Sequence, residues 1–264
     1  MIKVLVIGAC GKMGREVVKA VCAQDNMQLV GAVDLVNVGL DVGSIVLNKE
    51  IGVNIKSDLQ SAIDEVSPDV AIDFTQPSVI FNNAKILLNN GVKPVIGTTG
   101  LTDEQLAELK KLSEEKGVSA LIAPNFTIGA VLMMMFAKKA AQYFDNAEII
   151  ELHHNQKKDA PSGTAVKTAQ LMAQEKSDFA KNNCAETELI EGSRGGASYS
   201  NIHIHSVRMP GFIASQEVLF GAAGQIMTIR HDSMDRECYM SGVILAVNHV
   251  FNNSGFVYGL DNIL

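Results

Sequence analysis

The chain predicts an α/β fold, a doubly wound parallel sheet joined to a smaller α+β domain, and three observations carry that prediction. Short apolar runs alternate with helical patterns through the first half of the chain, the mark of βαβ units and a parallel sheet. The first run, Ile2–Ile7, opens into Gly8-Ala9-Cys10-Gly11-Lys12-Met13-Gly14, spaced G-x-x-G-x-x-G ahead of a helical pattern from Arg15 to Ala23. Beyond Pro124-Asn125-Phe126 the alternation stops, and later strands follow one another across turns.

Strand, glycine turn and helix in that order set the unpaired N–H groups of a helix start beside the turn, a place for a pyrophosphate. The glycines permit the tight turn, close approach of the phosphates and close strand–helix packing. Gly8, Ala9, Cys10, Gly11, Lys12 and Met13 are therefore candidate cofactor contacts. A second apolar run, Leu29–Val33, ends in Asp34, 20 residues after Gly14, where a carboxylate accepts the hydroxyls of an adenine ribose.

A capped helix, Asp58–Val66, leads to the strand Val70–Phe74 and the turn Thr75-Gln76-Pro77-Ser78. The helix Val79–Asn89 then precedes the strand Pro94–Ile96, with Gly97-Thr98-Thr99-Gly100 at its carboxyl end. Ligands of open α/β sheets bind beyond the carboxyl ends of the strands, so the glycine loop, Asp34, Phe74-Thr75 and Gly97–Thr99 fall along one crevice of a Rossmann-type sheet.

The helix Asp103–Lys116 and the strand Ser119–Ala123 close this part, and the domain boundary is placed after residue 124. A long helix is expected from Ile128 to about Phe144, then a strand Glu148–His153 and a polar loop. The next helix opens at Pro161 and runs to about Glu175, and Lys176–Asn183 reads as a loop or ragged helix end. Strands Ile202–Arg208, Ala214–Phe220 and Gln225–His231, divided by Met209-Pro210-Gly211 and Gly221-Ala222-Ala223-Gly224, predict an antiparallel or mixed sheet. A helix Met234–Val250 and a short strand Phe256–Leu260 end the pattern.

Composition bounds the function. With 264 residues, 47% hydrophobic and 19% charged, the chain suits two modest globular domains, and a formal charge of −7 argues against a nucleic-acid partner. An anionic ligand then needs a locally basic pocket. Cys10, Cys22, Cys184 and Cys238 form no C-x-x-C pair, which favours free thiols in a reducing compartment. No export signal is expected in the short apolar run Val4–Ile7, and Ile128–Ala137 falls well short of the roughly 20 residues a bilayer requires, so the expected location is the cytoplasm with no membrane partner. Met133, Met134 and Met135 in that segment read as helix packing. His203 and His205 share a strand face, yet no third ligand has compelling spacing, and no metal is expected.

The chemistry concentrates in Glu151–Ala165, ELHHNQKKDAPSGTA. Two imidazoles, His153 and His154, precede the ammoniums Lys157 and Lys158 and a helix start, Asp159-Ala160-Pro161-Ser162-Gly163-Thr164. Histidine exchanges protons near neutral pH, and the free amides of Gly163 and Thr164 at a helix start hold a carboxylate. Acid chemistry and anion binding thus share one loop.

That run resembles, almost letter for letter, the signature of the 4-hydroxy-tetrahydrodipicolinate reductase (dihydrodipicolinate reductase) family of bacterial lysine biosynthesis, and further matches extend from Gly8 to Arg236. The resemblance implies that His153 donates a proton, that His154 and Lys157 contact substrate, Lys157 also acting in the chemical step, and that Gly163 and Thr164 bind a carboxylate. It implies nicotinamide-side contacts at Phe74, Gly97, Thr98 and Thr99, and cofactor contacts at Ala123, Pro124, Asn125 and Phe126. It also implies that the tail returns to the nucleotide domain, giving a dinucleotide-binding domain of residues 1–124 and 235–264 and a substrate-binding and tetramerisation domain of residues 125–234. Arg194, Arg208 and Arg236 match family positions, and structural and substrate-binding roles fit Arg194 and Arg208 equally.

The implied reaction reduces a small cyclic imine dicarboxylate with NADH or NADPH, the assembly being a homotetramer. Loss of water at C4 falls to His153 or to solvent. Asp34 is followed by Leu35, where phosphate-tolerant members often carry arginine, so both cofactors are expected to serve without strong NADPH selectivity; Lys12 offers one charge to a 2′-phosphate. Two other readings exist. A different nicotinamide dehydrogenase needs its own catalytic group, such as a positioned cysteine, and neither Cys184 nor Cys238 has that setting. A nicotinamide-sensing binding protein needs the glycine loop but not the His-His and Lys group.

Overall fold

A computed structural model describes residues 1–180, 184–185 and 187–264. In chain order the strands and helices begin β1 (Ile2–Ile7), α1 (Lys12–Cys22), β2 (Met27–Val33), α2 (Val42–Val46), β3 (Ile55–Lys56) and α3 (Leu59–Val66). They continue β4 (Val70–Asp73), α4 (Pro77–Asn89), β5 (Lys93–Ile96), α5 (Asp103–Lys116) and β6 (Ala120–Ile122). Then follow α6 (Ile128–Ala141), β7 (Asn146–His153), α7 (Gly163–Glu175), β8 (Gly196–Ala197), β9 (His203–Arg208), β10 (Ala214–Ala222) and β11 (Gln225–Ser233). The last two are α8 (Met240–Asn252) and β12 (Phe256–Tyr258).

The chain divides into two units, Met1–Ile128 with Tyr239–Leu264, and Gly129–Cys238. The first crossing falls past the expected residue 124 because Phe126 is buried in the first unit, its ring tilted against Phe74 at a centroid distance of 5.8 Å. The return falls at Tyr239 because a 3₁₀ turn, Arg236–Tyr239, precedes α8, so the helix expected from Met234 starts six residues later.

In the first unit seven strands form one parallel sheet in the order β12-β6-β5-β4-β1-β2-β3. The order reverses between β1 and β4, the switch point at which open α/β sheets bind ligands. The strands are almost wholly buried, as continuous apolar runs in a doubly covered sheet must be. Leu87 and Ile63 fill one side, and Ile80, Leu109 and Ile122 pack together elsewhere. Helix ends agree with their sequence signals: Asp58 caps α3 through Ser61 N–H at 2.7 Å, and Thr102 and Gln105 form a capping box on α5. The short elements α2 and β3 were not expected; Asp41 organises that stretch by accepting from Ser44, Ile51 and Val53.

In the second unit five strands form a mixed sheet, β11-β10-β7-β9-β8, with β7 and β9 parallel and the other pairs antiparallel. Ala137, Ile149, Ala169, Met172, Phe179 and Phe220 form its core, where small residues on α6 and α7 meet the sheet. Helix α6 ends at Ala141, short of Phe144, and α7 starts at Gly163 because Ser162, rather than Pro161, is the cap: its hydroxyl accepts from Ala165 N–H at 3.2 Å. Part of the polar stretch expected over 176–183, residues 181–183, lies outside the described residues. The strand expected to reach Leu260 stops at Tyr258.

Candidate active site

At the switch point of the first unit the turn after β1 needs its glycines for two separate reasons. Gly8 has φ +79°, a left-handed conformation that suits glycine, and a Cβ on Gly14 would sit 1.9 Å from the Gly8 carbonyl oxygen. Helix α1 can therefore start directly under the turn, presenting its first amides outward. Cys10 N–H donates to Asp34 Oδ2 at 2.8 Å and Val36 N–H to Oδ1 at 3.1 Å, so the carboxylate at the end of β2 is locked against the glycine loop. Arg15, which sequence reasoning passed over, donates from Nε to the Cys10 carbonyl at 3.0 Å, which holds its guanidinium against the glycine loop, and Lys12 is exposed.

Beyond β4 and β5 the neighbouring loops are tied by one buried carboxylate. Asp73 accepts from Thr75 N–H (2.9 Å), Thr75 hydroxyl (2.6 Å), Asn83 amide (2.9 Å) and Thr98 hydroxyl (3.3 Å). Burial pushes its carboxyl up, and these neutral donors only partly offset that. The Phe74 ring lies against Gly97, where an added Cβ would fall 2.0 Å from Cε1, and against Phe126. Ala9, Ala123 and Phe126 are buried, so what they present is backbone or support, whereas Gly11, Lys12, Thr99 and Pro124 are exposed at the strand ends; Met13 and Asn125 are half-buried. The backbone shape and Asp34 fit a dinucleotide, because a glycine turn that a Cβ would fill and unpaired amides at a helix start are what a pyrophosphate requires.

In the second unit the residues of the His-His loop are arranged around Glu151. Strand alternation puts Glu151 and His153 on one face of β7, and parallel pairing sets Arg208 of β9 opposite His153. Glu151, 0% exposed, takes His153 Nδ1 at 2.5 Å, Arg208 through two bonds of 2.8 and 2.6 Å, and Ser162 N–H at 3.2 Å. Burial alone would push this carboxyl up; hydrogen bonds from His153, Arg208 and Ser206 outweigh it and lower it to about 2. An ionised carboxylate only accepts, so the hydrogen on His153 belongs to Nδ1. At His154 the arrangement is opposite: Gln156 N–H donates to Nδ1 at 3.2 Å, which leaves the hydrogen on Nε2.

Next to this pair, Lys157 Nζ contacts both Asp159 oxygens at 2.8 Å, and Arg208 also donates to the Asp159 carbonyl at 2.8 Å. The peptide Ala160–Pro161 is cis. Gly163 and Thr164 occupy the first two positions of α7, and their amides have no acceptor among the described residues. The loop thus brings together an imidazole, an ammonium and two open amides.

Other sequence candidates lie apart from this group. His203 Nδ1 bonds the Arg194 carbonyl at 2.7 Å, while His205 Nε2 and Arg194 each hold Glu148, at 2.7 and 2.6 Å. These lie on the sheet face opposite Glu151, since Glu148 and Glu151 differ by an odd number of residues on β7.

Comparison with known proteins gives the chain's family. The family model described as dihydrodipicolinate reductase, N-terminus, matches residues 2–126, and that described as dihydrodipicolinate reductase, C-terminus, matches residues 129–264. The chain belongs to the dihydrodipicolinate reductase family. A relative from Listeria innocua serovar 6a, named 4-hydroxy-tetrahydrodipicolinate reductase, is 51% identical over 263 residues, covering 99% of each chain. One of the same name from Desulfitobacterium hafniense is 50% identical, covering 100% of this chain and 98% of its own. A solved dihydrodipicolinate reductase from Paenisporosarcina sp. TG-14, with dipicolinate bound, superposes with a TM-score of 0.90 at 46% identity over the whole of both chains. The protein is an NAD(P)H-dependent oxidoreductase of that family, and among the described residues no helix is long and apolar enough to cross a membrane.

Sequence reasoning missed Glu151 as a working residue, together with Asp73, Arg15 and Asp159. A glutamate two residues before a histidine on one strand was a usable signal for the first. The partner that makes it meaningful, Arg208, is 57 residues away and is supplied only by the pairing of β7 with β9.

Proposed function

We propose that the protein reduces 4-hydroxy-tetrahydrodipicolinate to tetrahydrodipicolinate with loss of water, in the diaminopimelate route to lysine. Within the chain, the observation that supports this is the grouping of His153, Lys157 and the open amides of Gly163 and Thr164 in one loop, which matches a substrate needing both an acid and carboxylate binding. The relative with dipicolinate bound fits the same substrate class. Once the C4 hydroxyl has left as water, the reduced nicotinamide, bound at the switch point of the first unit, would supply hydride to the C4 of the resulting conjugated imine. His153, as imidazolium, gives its Nε2 proton to the enamine carbon, and the neutral ring keeps Nδ1–H on Glu151. Gly163, Thr164 and His154 hold a carboxylate, and Lys157 exchanges Asp159 for substrate charge.

Residues 1–128 with 239–264 serve in this reading as the dinucleotide domain, through Gly8–Met13, Asp34, Phe74, Gly97–Thr99 and the backbone of Ala123–Phe126. Both NADH and NADPH are accepted: Asp34 suits ribose hydroxyls, 83%-exposed Leu35 supplies no phosphate clamp, and Lys12 and Arg15 give modest charge. Residues 129–238 bind substrate and assemble four copies. The edge strand β11 exposes Ile226 and, among the described residues, has no strand partner on one side, which supports a homotetramer. Among the described residues the four cysteines form no disulfide, which suits the cytoplasm.

The deciding experiment adds the hydroxylated tetrahydropyridine dicarboxylate to protein and NADH and follows nicotinamide absorbance. Loss of absorbance proportional to enzyme is expected, and its absence with both cofactors rejects the reaction. Sedimentation showing only monomer at micromolar concentration rejects the tetramer.

A further inference from the structure

The buried carboxylate under the histidine pair has no place in the sequence-based account, and its surroundings define a task. Its oxygens are almost fully engaged: Oε2 meets His153 Nδ1 and Arg208 Nη1, and Oε1 meets Arg208 Nη2 and Ser162 N–H. We propose that Glu151 is the positioning residue of the reductive step: it fixes Nδ1–H of His153, makes Nε2 the nitrogen that delivers the proton, and ties that ring to the amide start of α7. Arg208 keeps Glu151 an anion, so the carboxylate holds the Nδ1 proton without taking it. This rests on the reading of His153 as the proton donor.

The geometry favours this over a plain helix cap. A carboxylate capping α7 would accept from its first-turn amides, whereas that cap is the Ser162 hydroxyl on Ala165 N–H and, at this helix start, Glu151 takes only the N–H of Ser162 itself. The bond from Ser162 N–H instead places Glu151 one residue before Gly163 and Thr164. One side chain therefore sets both the acid and the carboxylate site, and a substrate anchored on those amides meets an imidazole of fixed orientation. Among the described residues the charged partner that bonds the ring is Glu151 on β7; Arg208 on β9 bonds Glu151 and the Asp159 carbonyl, Lys157 pairs with Asp159 in the loop, and the β10 residue paired with His153 is Ala214.

Two charges of opposite sign acting on one imidazole predict opposite effects on the pH profile of turnover. The acid form of His153 is needed, so activity falls along an alkaline limb. In Glu151→Gln the anion bonded to the ring is gone, and the limb moves to lower pH. In Arg208→Met the cation that competes for Glu151 is gone, and the limb moves up. Glu151→Gln also lowers turnover about 10- to 100-fold with a smaller change in KM, and adds nothing to the loss already produced by His153→Gln.

The tests are these pH profiles, the double-variant comparison and ¹⁵N spectra of the imidazoles in the unaltered protein, which do not depend on any variant folding. The spectra should show neutral His153 with its hydrogen on Nδ1 and neutral His154 with its hydrogen on Nε2. A His153 hydrogen on Nε2 overturns the proposal, as does reduced turnover in Glu151→Gln with the limb unmoved, or a loss that multiplies with that of His153→Gln. A crippled His153→Gln beside such a result overturns the positioning role alone. Near-normal turnover in His153→Gln removes the reading beneath it, and the proposal with it.

Discussion

Two carboxylates, Asp73 in the first unit and Glu151 in the second, are both 0% exposed at the ends of strands and stand in opposite electrostatic settings. Asp73 is held by hydroxyls and amides with no cation at ion-pair distance among the described residues, and its carboxyl is pushed up. Glu151 is held by a guanidinium and an imidazole and is pulled down to about 2. The first arrangement shapes loops; the second sets charge. The contrast runs through both units: the strand ends of the first are tied by neutral donors and glycine-dependent turns, whereas Glu151 in the second is held by a guanidinium and an imidazole.

The largest expected effect tests whether the proton chemistry belongs to the second unit alone. His153→Gln should lower turnover by about 100- to 10,000-fold while leaving NADH affinity within about twofold, read by steady-state kinetics and by nucleotide fluorescence titration. Weakened nucleotide binding of the same size would erase the division of labour.

Stability separates the two carboxylates directly. Removing one partner of a buried ion pair leaves the other charge uncompensated, so Glu151→Gln should cost about 3 kcal/mol in urea unfolding at neutral pH. Asp73→Asn removes a buried charge that no cation compensates, and should fall within about 1 kcal/mol of the unaltered protein. The pH dependences are opposite in sign. Glu151 has a lowered folded value, so its contribution is complete above its ordinary value of 4.5 and is lost as pH falls through the window down to about 2. Asp73 has a raised folded value, so its contribution is present below its ordinary value of 3.8 and is lost as pH rises through the folded value. Acid unfolding should therefore begin earlier in Asp73→Asn and change least in Glu151→Gln; equal curves would refute the contrast.

Smaller effects sharpen the backbone side. Gly14→Ala places a methyl 1.9 Å from the Gly8 carbonyl, and should cost about 2 kcal/mol in urea unfolding and weaken NADH binding about tenfold by titration. At Leu35 a new guanidinium beside Asp34 should shift the NADPH-to-NADH ratio of kcat/KM about tenfold toward NADPH, and Lys12→Ala should lower it by about threefold. A hundredfold preference for NADPH in the unaltered protein would point to Arg15 or another cation as the reader of the phosphate.

Legibility in the sequence follows the same division. The parallel sheet, its glycine turn and Asp34 could be read because each depends on local pattern: apolar runs of strand length, caps such as Asp58 and Thr102, and spacing along the chain. The His-His loop and the amides of α7 were legible for the same reason, as one continuous stretch. What escaped depends on register. Arg208 reaches Glu151 only because β9 lies parallel beside β7, and Asp73 gathers Thr98 from 25 residues away across β5. The start of α8 was misplaced because Arg236–Tyr239, within the expected helix, settles into a 3₁₀ turn, and α7 began later because a serine hydroxyl rather than a proline ring ended the loop.

The parallel sheet of the first unit has a consequence for the order in which a ribosome can complete it. Its outer strand β12 pairs with β6, and Ser119 hydroxyl reaches the Gly255 carbonyl across 136 residues of sequence. Everything from Gly129 to Cys238 emerges in between, so the inserted unit can gather its core while the sheet that precedes it still waits for α8 and β12. Closing so long a loop is entropically slow, which leaves the edge of β6 open as the last surface to be covered during synthesis.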